Sequence, residues 1–258
     1  MAISLKAVGS YVDMTIGAGV PNIPGSPAAG DRMFLFVANK DYADTFSVSS
    51  GWTAIGSEYA DGTVNSGNGV GSVRVQAWYR DWQSGDTDPT VTPFNSSDGG
   101  TAIIQLWQKD SGETWDTPLT TNAAWTLNTA ATIQTVSAVG SLAIPNGAVV
   151  MALFGIRDDN ANPTWGSDGI DVSSGITWNG NYVESPASYY TNGSAFDFSC
   201  DLGYRLVTTG GTVTLRLTST LNTAETGAIK FVVQGVTGGG GGGGSNNFSG
   251  NFFEFLRP

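Results

Sequence analysis

Histidine is absent from the 258 residues. That removes Ser-His-Asp and Cys-His nucleophile systems and His-ligated zinc, and leaves acid–base chemistry to carboxylates, Lys or Tyr. Cysteine occurs once, at Cys200, so no internal disulfide forms and folding needs no oxidising compartment. Its setting, Phe198-Ser199-Cys200-Asp201-Leu202, reads as a strand in which the thiol is a small buried hydrophobe rather than a nucleophile. Charge is scarce, at 13% of residues, about half the usual share. Eleven Lys and Arg stand against 22 Asp and Glu, a formal net charge of −11. So thin a supply of cations does not grip a phosphate backbone, and its sign opposes anionic membranes. No apolar run approaches the ~18 residues that cross a bilayer, so no membrane insertion is expected. The segment Met1-Ala2-Ile3-Ser4-Leu5-Lys6 lacks the apolar stretch and cleavage site of a secretion signal. Synthesis in the cytosol, with release by lysis or by assembly into a particle, is the expectation.

What is present is glycine, 36 residues of it, with 40% apolar residues and 28 aromatics, enough for a sizeable core. The apolar residues recur with period two. Val73, Val75, Ala77 and Tyr79 alternate with Arg74, Gln76 and Arg80, and Val213, Leu215 and Leu217 alternate with Thr214, Arg216 and Thr218. These are half-buried strands. Met33-Phe34-Leu35-Phe36-Val37 and Val149-Val150-Met151-Ala152-Leu153-Phe154 are continuous apolar runs, as central sandwich strands require. Gly, Pro, Asn and Asp clusters interrupt the chain roughly every 8–15 residues, and no amphipathic helix is evident. The class is all-β.

Two halves, offset by about 115–125 residues, resemble each other. Val48-Ser49-Ser50-Gly51-Trp52-Thr53 recurs as Val172-Ser173-Ser174-Gly175-Ile176-Thr177-Trp178. Met33–Phe36 matches Met151–Phe154, and Ala77–Arg80 matches Leu202–Arg205. Thr90-Val91-Thr92 matches Thr212-Val213-Thr214, and Ala102-Ile103-Ile104 matches Ala228-Ile229-Lys230. The expected fold is an antiparallel, jelly-roll-like β-sandwich over residues 1–236, with halves of about 1–120 and 121–236. One sandwich, with each half supplying strands to both sheets, is preferred to two in tandem. Each half is short, and the joint near Ala138–Pro145 holds no flexible linker.

After Val236-Thr237 come seven consecutive glycines, Gly238 to Gly244. Residues 237–247 thus form a tether, since ordering glycine costs about 1–2 kcal/mol per residue in backbone entropy. Residues 248–258 carry Phe248, Phe252, Phe253, Phe255, Leu256 and Arg257. Such a peptide either folds back onto its own domain or docks on a partner. Docking is favoured, because burying each Phe is worth roughly 1.5–3 kcal/mol and the glycines give reach. As an extended segment Phe253 and Phe255 share one face, which suits strand addition.

Other motifs read more plainly. Arg157-Asp158-Asp159-Asn160-Ala161-Asn162 lacks the EF-hand pattern and reads as a solvated turn, with weak Ca²⁺ binding as the lesser alternative. Gly67-Asn68-Gly69-Val70-Gly71 has no helix after it and reads as a hairpin tip. Of eight tryptophans, Trp52, Trp78 and Trp107 read as core, while Trp82, Trp115, Trp165 and Trp178 lie nearer loops. Glu58, Glu113, Glu184 and Glu225 offer no recognisable catalytic pair. No catalytic residue, metal or cofactor is expected.

Ser26-Pro27-Ala28-Ala29-Gly30-Asp31-Arg32-Met33-Phe34-Leu35-Phe36-Val37 has the form P-x-x-G-D-x-hydrophobic at a strand opening. Together with Gly51-Trp52-Thr53, Val73–Arg80 and Asp88-Pro89-Thr90-Val91-Thr92, it resembles a β-sandwich domain common among tailed-bacteriophage virion proteins of the minor tail, fibre-like and head-decoration kinds. The similarity spans most of residues 1–236 and leaves out the Phe-rich tail. It implies a non-enzymatic structural protein on the virion surface, either a host-adhesion module on the tail or a capsid decoration. It implies capsid or tail proteins as partners, a homo-oligomer (commonly a trimer) and a host-surface glycan as a candidate ligand. The alternative is a carbohydrate-binding or glycan-cleaving sandwich that is not attached to a virion.

Overall fold

The computed structural model describes residues 3–14, 17–40, 45–61, 73–92, 100–125, 133–137, 142–156, 164–172, 176–184, 189–191, 198–213, 215–220 and 227–238. Among these there is no helix. The first half supplies β1 (Ile3–Val8), β2 (Val12–Asp13), β3 (Arg32–Asn39), β4 (Ser47–Val48), β5 (Thr53–Ala54), β6 (Tyr59–Asp61), β7 (Val73–Asp81), β8 (Val91–Thr92), β9 (Gly100–Lys109) and β10 (Thr114–Trp115). The second supplies β11 (Leu119–Trp125), β12 (Ile133–Ser137), β13 (Leu142–Ile144), β14 (Val149–Ile156), β15 (Thr164–Val172), β16 (Thr177–Glu184), β17 (Tyr189–Thr191), β18 (Phe198–Thr209), β19 (Gly211–Val213), β20 (Leu215–Thr220), β21 (Gly227–Gln234) and β22 (Val236–Thr237).

Two large antiparallel sheets form the centre. The front sheet runs β1-β9-β3-β7-β5, with β2 also on β9 and β6 also on β7. The back sheet runs β11-β21-β14-β18-β16, with β17 also on β18. Numbered within its own half, each sheet has the order first, last, second, fourth, third. The intervening strands form outer layers. In the first half β4 pairs β8, and Gly19 bridges Val91. In the second half β15 and β12 flank β20, and β13 pairs β19. The chain therefore alternates between an inner and an outer layer in each half, as in a jelly roll.

The layering departs from one expectation. A single sandwich in which both halves share each sheet is not what forms. Each half completes its own large sheet and its own outer layer, and the two large sheets then pack face to face. The chain passes from one sheet to the other at Asp116–Pro118, between β10 and β11. The reason lies in the apolar runs. A strand such as Met33–Val37 carries no polar face, so it must be covered on both sides.

Three cores follow. Between the large sheets lie Phe34, Phe36 and Trp107 from the front, against Met151, Leu153, Phe198, Leu202 and Val232 from the back. Outside the front sheet, Met33, Leu35, Val37 and Ile104 are covered by Met14, Ile23, Phe46, Val48 and Trp52. Outside the back sheet, Val150, Phe154, Ile229 and Phe231 are covered by Ile144, Leu215, Leu142 and Ile176. Close approach of the inner faces has a cause at Gly155, where a Cβ would sit 2.8 Å from Val73 Cγ1.

Polar ties cross between halves as well. Lys230, fully buried on β21, donates to Ser57 O at 2.9 Å in the loop before β6. Trp107 meets Tyr204 edge to face at 5.0 Å between centroids. The last strands of the two halves, β10 and β22, pair with each other through Thr114–Thr237 and Trp115–Val236.

Candidate functional site

The turn before β3 is built by its acid. Ala28 N donates to Asp31 Oδ2 at 2.8 Å, Asp31 N donates to Ala28 O at 3.0 Å, and Lys6 Nζ reaches the same carboxylate at 2.7 Å. Gly30 between them has φ +94°, a conformation open to glycine and strained for other residues. The Pro-x-x-Gly-Asp pattern is thus a carboxylate-capped turn. It delivers Arg32 into the interior at the first position of β3.

Arg32 is buried and fully engaged. Its Nε and Nη2 donate to Asp81 Oδ1 and Oδ2 at 2.6 and 3.1 Å. Its Nη1 donates to Asp116 O at 2.8 Å and Gln234 Oε1 at 2.9 Å. The guanidinium lies 4.5 Å from the Tyr79 ring centroid and 5.3 Å from that of Trp115. Gln234 Nε2 in turn donates to Asp116 O and Gly235 O. One side chain therefore fastens β3, β7, the crossing segment and β21, using the bidentate fork and the stacking that Lys lacks.

Beside this network, at the end of the front sheet where β3 begins and β7 and β9 finish, an open cleft of about 550 Å³ is lined by Trp82, Gln83, Lys109, Glu113, Trp115 and the Ala29–Gly30 turn. Its walls are held in place. Trp115 Nε1 donates to Gly30 O at 2.8 Å, and Trp82 N donates to Asp31 O at 2.9 Å. Both indoles are half-buried, one against the central core and the other against the front outer core. Glu113 Oε2 is closed off from solvent with no hydrogen-bond partner among the described residues. A rigid wall of two indoles, a carboxylate, an ammonium and a carboxamide presents both donors and acceptors to whatever enters.

Other residues singled out in the sequence fall as follows. Phe248, Phe252, Phe253, Phe255, Leu256 and Arg257 lie outside the described residues. So do the Asp158–Asn162 loop, Gly67–Gly71, Glu225 and the tether beyond Gly238. Cys200 is buried, its thiol pushed well up by burial and by the neighbouring Asp201 charge. Glu58 is structural, accepting from Phe46 N and from Arg74. Among the described residues no group of three or more His, Cys, Asp or Glu could hold a metal ion. Trp107 and Trp78 are core, as their strands require. That Trp82 and Trp115 face one space was not visible in the sequence, because one follows β7 and the other forms β10.

No known protein family, curated protein or solved structure matches the chain. Its class rests on the fold and the cleft: an all-β protein of two face-to-face jelly-roll-like sandwiches, with a rigid aromatic–polar cleft at one end.

Proposed function

We propose that the chain is a non-enzymatic structural protein displayed on the outside of a tailed-phage virion, as a tail or fibre-type adhesion module or as a capsid decoration. It is held there through residues 248–258. One observation carries this reading. The paired body closes at the β10–β22 clasp, and seven glycines and a Phe-rich peptide follow directly. An apolar peptide beyond a run of glycines is the composition of an anchor. The P-x-x-G-D strand opening and the sandwich architecture agree with it.

The test is location. Purified particles from infected cells are analysed by mass spectrometry and cryo-EM. The full chain is expected on particles in fixed copy number, and a Phe252, Phe253, Phe255→Ser variant is expected in the soluble fraction, folded. Absence of the full chain from particles overturns the proposal. The cleft favours a second reading, a free carbohydrate-binding protein. Glycan binding without particle association would support that one.

A further inference from the structure

We propose that the cleft between Trp82 and Trp115 binds a neutral, hydroxyl-rich saccharide, with pyranose faces against the indoles and hydroxyls bonded by Glu113, Lys109 and Gln83. This does not depend on where the protein is displayed.

The chemistry of the lining selects the ligand. Its volume, about 550 Å³, falls in the range of small-molecule sites, and its open form admits a segment of a longer chain. An indole face carries negative potential and meets the C–H-lined face of a sugar ring well. Trp115 is fixed through Gly30 O and stacked on its Arg32 side, so its position costs nothing to organise on binding. Apolar ligands are disfavoured because Lys109 and the carboxylates of Glu113 and Asp81 would lose hydration with nothing to replace it. Anionic ligands are disfavoured as well. Arg32 has its donors committed to Asp81, Asp116 and Gln234, which leaves Lys109 as the cation at hand, with the carboxylates of Asp81 and Glu113 nearby. The chain's net charge of −11 acts in the same direction. Neutral hydroxyls, which donate to Glu113 and accept from Lys109 and Gln83, fit what remains.

The experiment titrates the full chain with short neutral oligosaccharides of glucose, galactose and N-acetylglucosamine, and with sialyllactose and inorganic phosphate as anionic probes. Tryptophan fluorescence and saturation-transfer NMR are the readouts. At least one neutral sugar is expected to shift the emission and to receive saturation on its ring C–H protons. Glu113→Gln and Trp82→Ala should each weaken binding about tenfold, while Trp82→Tyr retains most of it. Should Trp82→Ala fail to fold, Glu113→Gln and Trp82→Tyr still decide the matter. Silence across the neutral sugars overturns the proposal, as does binding indifferent to Glu113→Gln, or binding of the anionic probes alone. If Phe253→Ser moves the Trp82 and Trp115 resonances and sugars do not, the cleft holds the C-terminal peptide and the saccharide assignment falls.

Discussion

Arg32 and Lys230 are two cations taken out of water on opposite terms. Arg32 meets a carboxylate, two carbonyl oxygens and two aromatic faces, so its charge is matched. Lys230 meets Ser57 O and, at 3.4 Å, Asn122 Oδ1, and loss of hydration lowers its pKa to about 8 against only partial support from Glu58. Between pH 8 and its ordinary 10.5 the unfolded chain holds a proton that the folded chain has released. Stability therefore rises with pH across that window, by on the order of 3 kcal/mol if nothing else titrates. The Cys200 thiol and Tyr11 hydroxyl, both pushed up by burial, work in the other direction above about pH 9. Urea unfolding from pH 7 to 10 should show the gain in the native chain and lose it in Lys230→Met; equal slopes in the two proteins would refute it. Neither role was legible in the sequence. Arg32 and Lys230 sit inside strands as ordinary-looking charges, and what they meet lies up to 202 residues away.

At the scale of elements the sequence was informative about which strands exist and weak about their phase. Four of the five repeated segments fall on corresponding strands of the two halves; the fifth does not, since Thr90–Thr92 lies on β8, which pairs β4, and Thr212–Val213 lies on β19, which pairs β13 rather than β15. Yet Tyr79 stands opposite Phe34, and Tyr204 stands opposite Met151. Phe34, rather than Met33, is thus the counterpart of Met151. Met33 faces the outer core while Met151 faces the central one. A strand buried on both faces has lost the apolar–polar alternation that normally fixes its register, so a match slipped by one residue looks equally good. Packing between the strands is tight at Gly155, against Val73 of β7. Gly155→Ala should cost about 1–3 kcal/mol through overpacking. In the double variant with Val73→Ala the two effects should be non-additive, because the smaller partner relieves the contact. Additive losses by chemical denaturation would show that the approach is not limiting.

For the molecule as a whole, the all-β class could be read directly. The layering could not, because it depends on pairings between distant segments. The shortness of the halves was misleading on one point: it favoured sheets shared between them, but outer strands as brief as Ser47–Val48 suffice to cover one face of a half's own sheet. The face each half turns to the other stays uncovered without its partner. Residues 1–117 alone would expose Phe34, Phe36 and Trp107, and the remainder would expose Met151, Phe198 and Leu202. Each half produced separately is expected to aggregate or self-associate, and co-expression with the other half is expected to restore a soluble one-to-one complex with a single unfolding transition. A half that is monomeric by size exclusion and unfolds cooperatively would contradict this.

The clasp of β10 and β22 has a mechanical consequence. The strand β22 ends at Thr237, so any pull on the chain at Gly238 arrives first at two residue pairs, Thr237–Thr114 and Val236–Trp115. Behind them stand Gly235, which accepts from Asp116 N, and Gln234, which grips Arg32. Tension at Gly238 is therefore delivered to the strand that bears Trp115 and to the residue that stacks on it. The end of β22 and the wall of the cleft therefore act as one lever, and a displacement of the first is felt at the second.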